Sequence, residues 1–383
     1  MKLIYLDNAE TTMVDPKAFK VVQEFMLEKY GLPSGDFGHS MQEEVTEAIE
    51  KARETIAQKI GAHPHEIIFT SGATESNNLA LQGIALAPSS KGKKIVVSAI
   101  EQKSILHKAI NLKNFGFNIE VVPVDSEGFI DLNQVNDSLD DSRLVSIQHA
   151  NQEIGTIQDI KSIGNLCRSK NVLFHCDAAQ SFTKLNIDVN KMNIDLLSIT
   201  SHLIHGPKGV GALYVKDGVK LNPIFYGDDR EFRLRAGSQN VPGIVGFAEA
   251  VNQMNDEHIL IMEKMRNKLI EALLRIDATK LNGSKGEKRI CHNVNVTFRH
   301  IEGEALTLHA SMRGLVCNTG SACYSQTLEP SHVITAIGGT HEEAHGSMRI
   351  SVSKYTLQDD VQKAIDLLEE IVTKLRSFSP LTR

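Results

Sequence analysis

Short apolar runs alternate with segments of helical spacing through the first 215 residues, and that alternation leaves few folds open. The runs are Glu66–Thr70, Lys94–Ser98, Ile119–Val122, Leu144–His149, Val172–Cys176, Asp195–Ile199 and Gly211–Val215. Each is short, rich in β-branched residues or leucine, and bounded by turn residues, which reads as a strand. Helical spacing covers Pro16–Tyr30, Met41–Ile60, Lys103–Phe115 and Ile160–Ser169. Strands that are apolar along their whole length need cover on both faces, and helices between successive strands supply it. The predicted fold class is therefore α/β with a mostly parallel sheet. From Ile244 to Ile276 the spacing predicts one long amphipathic helix. The remainder mixes strands (Val294–Phe298, Met348–Val352) with helices (Glu304–Met312, Val361–Arg376). A large domain over 15–255 is expected, with a smaller α+β domain built from 1–14 and 256–383.

Composition narrows the function. The chain has 383 residues, 41% hydrophobic and 23% charged, enough for real cores in one large or two ordinary domains. A net charge of -6 argues against nucleic acid or an anionic membrane as the main partner. No apolar stretch is long enough for a signal peptide or a membrane span. The 5 cysteines are odd in number and lack CxxC spacing, so free thiols in a reducing cytosol, and hence a cytoplasmic location, are expected.

The turn after Asp195–Ile199 concentrates reactive groups. Thr200-Ser201-His202-Leu203-Ile204-His205 is rich in hydroxyl and imidazole, and Gly206-Pro207-Lys208-Gly209 stops any helix before Gly211. Open α/β sheets place their ligands at such strand ends. Phe69-Thr70-Ser71-Gly72-Ala73-Thr74-Glu75 reads as strand, glycine turn and helix start, where free amides and the helix dipole suit a phosphate. Thr74 is either a further donor to that phosphate or a plain N-cap. His175-Cys176-Asp177-Ala178-Ala179-Gln180 ends a strand in a carboxylate, which suits a cationic ring N–H or the capping of a helix. Cys323 lies among small residues in Asn318-Thr319-Gly320-Ser321-Ala322-Cys323-Tyr324-Ser325, fitting an exposed thiolate; a buried structural cysteine is the alternative. Cys317, Cys167 and Cys176 read as packing. His175, His202, His205 and Glu10 match no metal-ligand spacing.

These segments resemble the cysteine desulfurases, pyridoxal 5'-phosphate (PLP) enzymes that take sulfur from cysteine for iron–sulfur assembly. The resemblance runs nearly end to end. It implies the fold-type I PLP-transferase layout, in which a large domain with a mostly parallel sheet joins a smaller α+β domain, and it implies a homodimer. It implies that Ala73, Thr74, Asp177, Gln180, Thr200 and His202 hold the cofactor's phosphate and ring, and that Ser238 reaches the neighbouring subunit's phosphate. Arg349, in Ser347-Met348-Arg349-Ile350-Ser351, matches the arginine that binds the substrate carboxylate, and Cys323 matches the persulfide carrier. In the family, the residue after His202 is the lysine that holds the cofactor as a Schiff base. Here it is Leu203, whose alkyl side chain cannot form an imine.

Other departures gather at the reacting end. The family's Glu-His-Lys is Glu101-Gln102-Lys103, so the imidazole that stacks on the ring becomes an amide. Asn-Asn-Glu-Ile-Gly is Asn151-Gln152-Glu153-Ile154-Gly155, which places Gln152 near the ring hydroxyl, and Gly-Asn-Pro-Ser is Gly31-Leu32-Pro33-Ser34. Glu10, Asp228 and Asp229 add negative charge toward a pocket meant for a carboxylate. Loss of a positioned base alone costs roughly 10²–10⁴ in rate, and Lys103 and Lys208 are the nearest replacements in sequence. The expectation is a cysteine desulfurase-like protein of sulfur transfer or iron–sulfur cluster assembly whose PLP chemistry is impaired or lost, so whether it is an enzyme stays open. Cys323 would carry a persulfide or lend a thiolate to a cluster shared with an iron–sulfur scaffold protein or other sulfur acceptor. PLP would bind non-covalently at most. Two alternatives stand beside this: an active desulfurase using non-covalent PLP or a substitute lysine, and a non-catalytic scaffold-binding protein.

Overall fold

The computed structural model describes residues 3–33, 38–88, 92–319 and 330–379. A seven-stranded sheet forms its centre, in the spatial order Ile67–Thr70, Gly211–Val215, Leu196–Thr200, Leu173–Asp177, Ser142–Gln148, Lys94–Ser98, Asn118–Val122. Only Gly211–Val215 runs against the others, because it returns directly from the turn that follows Thr200. The C-terminal ends of the remaining strands therefore meet along one edge. Every residue of Ser142–Gln148 and of Leu196–Thr200 is buried, as strands covered on both faces must be. Each fully buried leucine, isoleucine or valine in such a layer contributes ~1.5–3 kcal/mol.

Local chemistry sets the helix limits. Asp15 caps Pro16–Leu27 by accepting from Lys17 N, and Pro16 supplies a preset φ at the first turn. Ser40–Ile60 ends at Gly61 in the left-handed conformation. The single long helix expected over 244–276 is instead two, Val241–Asn252 and Asp256–Leu273. Asn255 adopts an extended backbone and its side chain accepts from His258 N, so it caps a new helix. Buried Met254 keeps the apolar spacing running through this break, which hides it from periodicity.

A second sheet is antiparallel, in the order Ser347–Ser351, Asn293–Phe298, Thr279–Leu281. The N-terminal segment joins the late chain: Ile4–Tyr5 pairs with Leu315–Val316, Asp7 bridges to Ser351, and Ala9 N donates to Ser351 Oγ at 2.8 Å. Thr12 Oγ1 then donates to His202 O at 2.8 Å. Residues 4–12 thus run from the second sheet to the turn at the end of the central one. Among the described residues no helix is long and apolar enough to cross a membrane.

Candidate active site

The strand ends of the central sheet open into a cavity of about 940 Å³. At one end Gly72 takes φ +147°, a conformation that L side chains rarely adopt, and its position is the N-cap of the helix Ala73–Leu86. Thr74 therefore stands inside the first turn and is not the cap. Gly72 has no side chain to cap this helix; Thr70 Oγ1 accepts from Gly72 N at 3.3 Å and Glu75 Oε2 from Ser71 N at 2.8 Å, and Thr200 Oγ1 is buried with no hydrogen-bond partner among the described residues. Open amides, a helix dipole and an unpartnered hydroxyl are groups that suit an anion. Ala73, Thr74, Thr200 and His202 all line the cavity. Burial, helped by the charge of Lys208, lowers the His202 pKa, so its imidazole is a neutral donor or acceptor.

Deeper in the cavity, Asp177 ends its strand and accepts from Asn77 Nδ2 at 2.7 Å and from Ala179 N at 2.9 Å. Burial pushes its carboxyl up from the ordinary range, and both donors are neutral. Gln180 lines the same wall, its amide tied to Ala9 O at 2.9 Å and facing His292 Nε2 at 3.2 Å. Arg349, also in the cavity lining, is buried, with Nη2 2.9 Å from Asp7 Oδ1 and 3.0 Å from Glu10 Oε2. Glu153 is buried beside them, and burial raises its pKa. Leu203 lines the same cavity and is itself buried.

The class-V aminotransferase family profile matches residues 4–364. The cysteine desulfurase IscS of Methanosarcina thermophila is 44% identical over 385 residues, spanning 100% of this chain and 95% of the relative. IscS 1 of Archaeoglobus fulgidus is also 44% identical, over 99% of both chains. A solved NifS-like protein superposes with TM-score 0.90 at 36% identity, over 98% of this chain and 100% of that one.

The chain belongs to the cysteine desulfurase family.

Members of this family use PLP, and most of this cavity fits it. The unpartnered Thr200 hydroxyl and the open helix start at Gly72 suit its phosphate. Asp177, raised by burial between neutral donors, suits a cationic ring nitrogen that would restore its charge. The covalent anchor does not fit, because position 203 presents only methyl groups. A desulfurase needs an amine there, and the described residues hold three nearby. Lys103 and Lys208 line the cavity. Lys184 lies behind Leu203, its Nζ donating to Leu203 O and Gln180 O at 3.1 Å each, and burial lowers its pKa to about 8. Lys184 lines a separate small cavity with Leu203.

The other expected desulfurase positions divide. Gln102 and Gln152 line the cavity, and Gln102 also caps the helix Lys103–Leu112 by accepting from Ser104 N at 3.3 Å. Ser238 is exposed and is not brought to the cavity within one chain. Leu32 is exposed and also stands outside the lining. Asp228 and Asp229 do not line it either; they pair with Arg230 and Arg233 at the surface, so within one chain they add no charge to the pocket. Cys323 lies outside the described residues. Its flanks do meet the cavity: Asn318 pairs with the backbone of Arg349, and Pro330, Ser331 and His332 line the wall. Cys317 is buried 3.6 Å from Met348 Sδ, and burial pushes its thiol up to about 12. His175 is occupied by Ser146 Oγ and Ser198 Oγ. Among the described residues no cluster of three or more His, Cys, Asp or Glu has metal-binding geometry.

Asn77, Glu153 and Lys184 were not singled out from the sequence. Asn77 follows Thr74 by three residues on one helix face, a spacing that could have exposed it. Nothing in the sequence marks Lys184 as buried.

Proposed function

We propose that this chain is a sulfur-transfer protein that binds PLP without covalent attachment and acts through the thiol of Cys323. Leu203 carries the reading: residues suited to a phosphate and to a ring nitrogen line the cavity, while Leu203 in the same lining offers neither an amine nor a base. PLP, when bound, supplies an electron sink for bonds broken beside an amino group. The helix start at Gly72 and Thr200 would hold its phosphate, and Asp177 its ring nitrogen. Arg349 binds carboxylate. Leu203 neither takes nor returns a proton, which alone removes roughly 10²–10⁴ of the rate of desulfuration. The Cys323 thiolate would attack the outer, sulfane-level sulfur of a persulfide donor, taking that sulfur as its own persulfide while the donor leaves as a thiolate, or would lend its thiolate to a cluster shared with a scaffold partner, in a reducing compartment. Ser238, exposed and away from its own cavity, suits a contact across a homodimer.

A second reading is an active desulfurase that uses free PLP or another lysine. The names of the relatives favour it, and so does the presence of Lys103 and Lys208 in the cavity wall. Anaerobic incubation with L-cysteine and PLP separates the two. The first reading expects alanine and sulfide at the level of a PLP-only blank, with cluster assembly from inorganic sulfide lost in Cys323→Ser. Release above that blank establishes the second, and its loss in Lys103→Ala or Lys208→Ala names the lysine.

A further inference from the structure

The guanidinium in the cavity already carries two anions, and they are not equivalent. The Asp7 side chain is 12% exposed, on the segment stitched to Ser347–Ser351, whereas that of Glu10 is 48% exposed. The Glu10 backbone is fixed: its N–H donates to Asp7 O at 3.1 Å, Tyr5 Oη donates to Thr11 O at 2.9 Å, and Thr12 is tied to His202. Only side-chain rotation is left to it. A carboxylate that is half in water rehydrates when it leaves a buried arginine, while one that is buried does not. Glu10 is therefore the replaceable partner of Arg349, and both residues face the cavity.

We propose that Glu10 is an internal counter-ion sharing Nη2 of Arg349 with Asp7, so that a ligand carboxylate entering from the cavity must compete with it for the guanidinium. The site then discriminates against small α-carboxylates such as free amino acids, and the length and charge of Glu10 set how strongly. An aspartate at position 10 would be one methylene shorter and a glutamine would carry no charge, so either would release the position. This deepens the function proposed above by naming the residue that governs ligand entry. It rests on that reading only for the class of ligand.

Calorimetric titration with L-serine, an unreactive isostere of cysteine, tests it on the purified protein. Glu10→Ala and Glu10→Gln are expected to bind serine about 10- to 100-fold more tightly than the wild type, the range for one hydrogen bond to a charged group. Asp7 still pairs with Arg349 in both, so the fold is retained; Glu10→Gln keeps the test open if the alanine variant does not fold. Adding Arg349→Ala to Glu10→Ala should abolish the gain. Equal dissociation constants in wild type and variants, weaker binding by the variants, or no heat from any of them up to the solubility of serine would overturn the proposal. So would a gain that survives loss of Arg349. Cluster assembly by Cys323→Ser judges the sulfur-transfer reading and the serine titration judges this one, so the two failures are told apart.

Discussion

Leu203 concentrates the contradiction in this site, because side chains suited to a PLP phosphate and ring nitrogen line the same cavity as a residue that cannot hold the cofactor. Leu203→Lys is expected to capture PLP as a borohydride-fixable adduct. The fold already tolerates a buried amine next door, since Lys184 sits against the carbonyl of residue 203. Without cofactor the variant should be less stable than wild type, because a buried ammonium loses hydration. Desulfuration should remain slow: Gln102 cannot stack as an imidazole, and Glu10 occupies Arg349. Each lost contact to a charged group is worth ~1.5–3 kcal/mol, so two hold turnover at least ~10² below a median enzyme's ~10 s⁻¹. Turnover at the median rate after this single change would show those departures to be neutral. Thr200→Val gives a cleaner reading of the phosphate end. Its hydroxyl has no partner among the described residues, so its removal should shift urea stability by less than ~0.5 kcal/mol. The same change should weaken phosphate or PLP binding about tenfold. Lost stability with unchanged anion affinity would remove Thr200 from the site.

At the scale of elements, the central strands were legible because burial on both faces leaves an unbroken apolar run, as in Leu196–Thr200. The turns at Gly72 and Gly206–Gly209 were legible because glycine and proline punctuate them. Pieces shorter than about two helical turns were not: Leu132–Asp137 and Thr279–Leu281 carry too few residues for a period to register. The split at Asn255 was hidden by Met254, and the pairing of Arg349 with Glu10 spans 339 positions that no local pattern links. One helix face makes its own prediction. Phe19 and Met26 lie seven positions apart on Pro16–Leu27 and are exposed, at 58% and 60%, and Tyr30, just past the helix end, is 67% exposed. An apolar stripe of this kind suits a subunit contact. Light scattering should give twice the chain mass of 42.2 kDa, and Phe19→Asp with Met26→Asp should return it to one. A wild-type monomer, or a variant that stays dimeric, would assign this face another role.

Over the whole molecule, buried ionisable groups tie stability to pH. Burial drives the Glu101 carboxyl from its ordinary 4.5 up to about 8, outweighing the donors from Ser98 and Gln148. Between those values the folded protein keeps a proton that the unfolded chain has lost. This contribution to stability is complete below about pH 4.5 and is lost as pH rises toward 8. Glu101→Gln should flatten the dependence of urea midpoint on pH across that window by up to ~1.4 kcal/mol per pH unit. An unchanged slope would mean that Glu101 is ionised in the fold. The measurement closest to the central claim is the intact mass of the whole protein after incubation with PLP and reduction with borohydride. A cradle without an anchor should give a mass equal to the bare chain, while the same sample before reduction binds PLP that gel filtration removes. A reduced phosphopyridoxyl group found on Lys103, Lys184, Lys208 or any other lysine would contradict it.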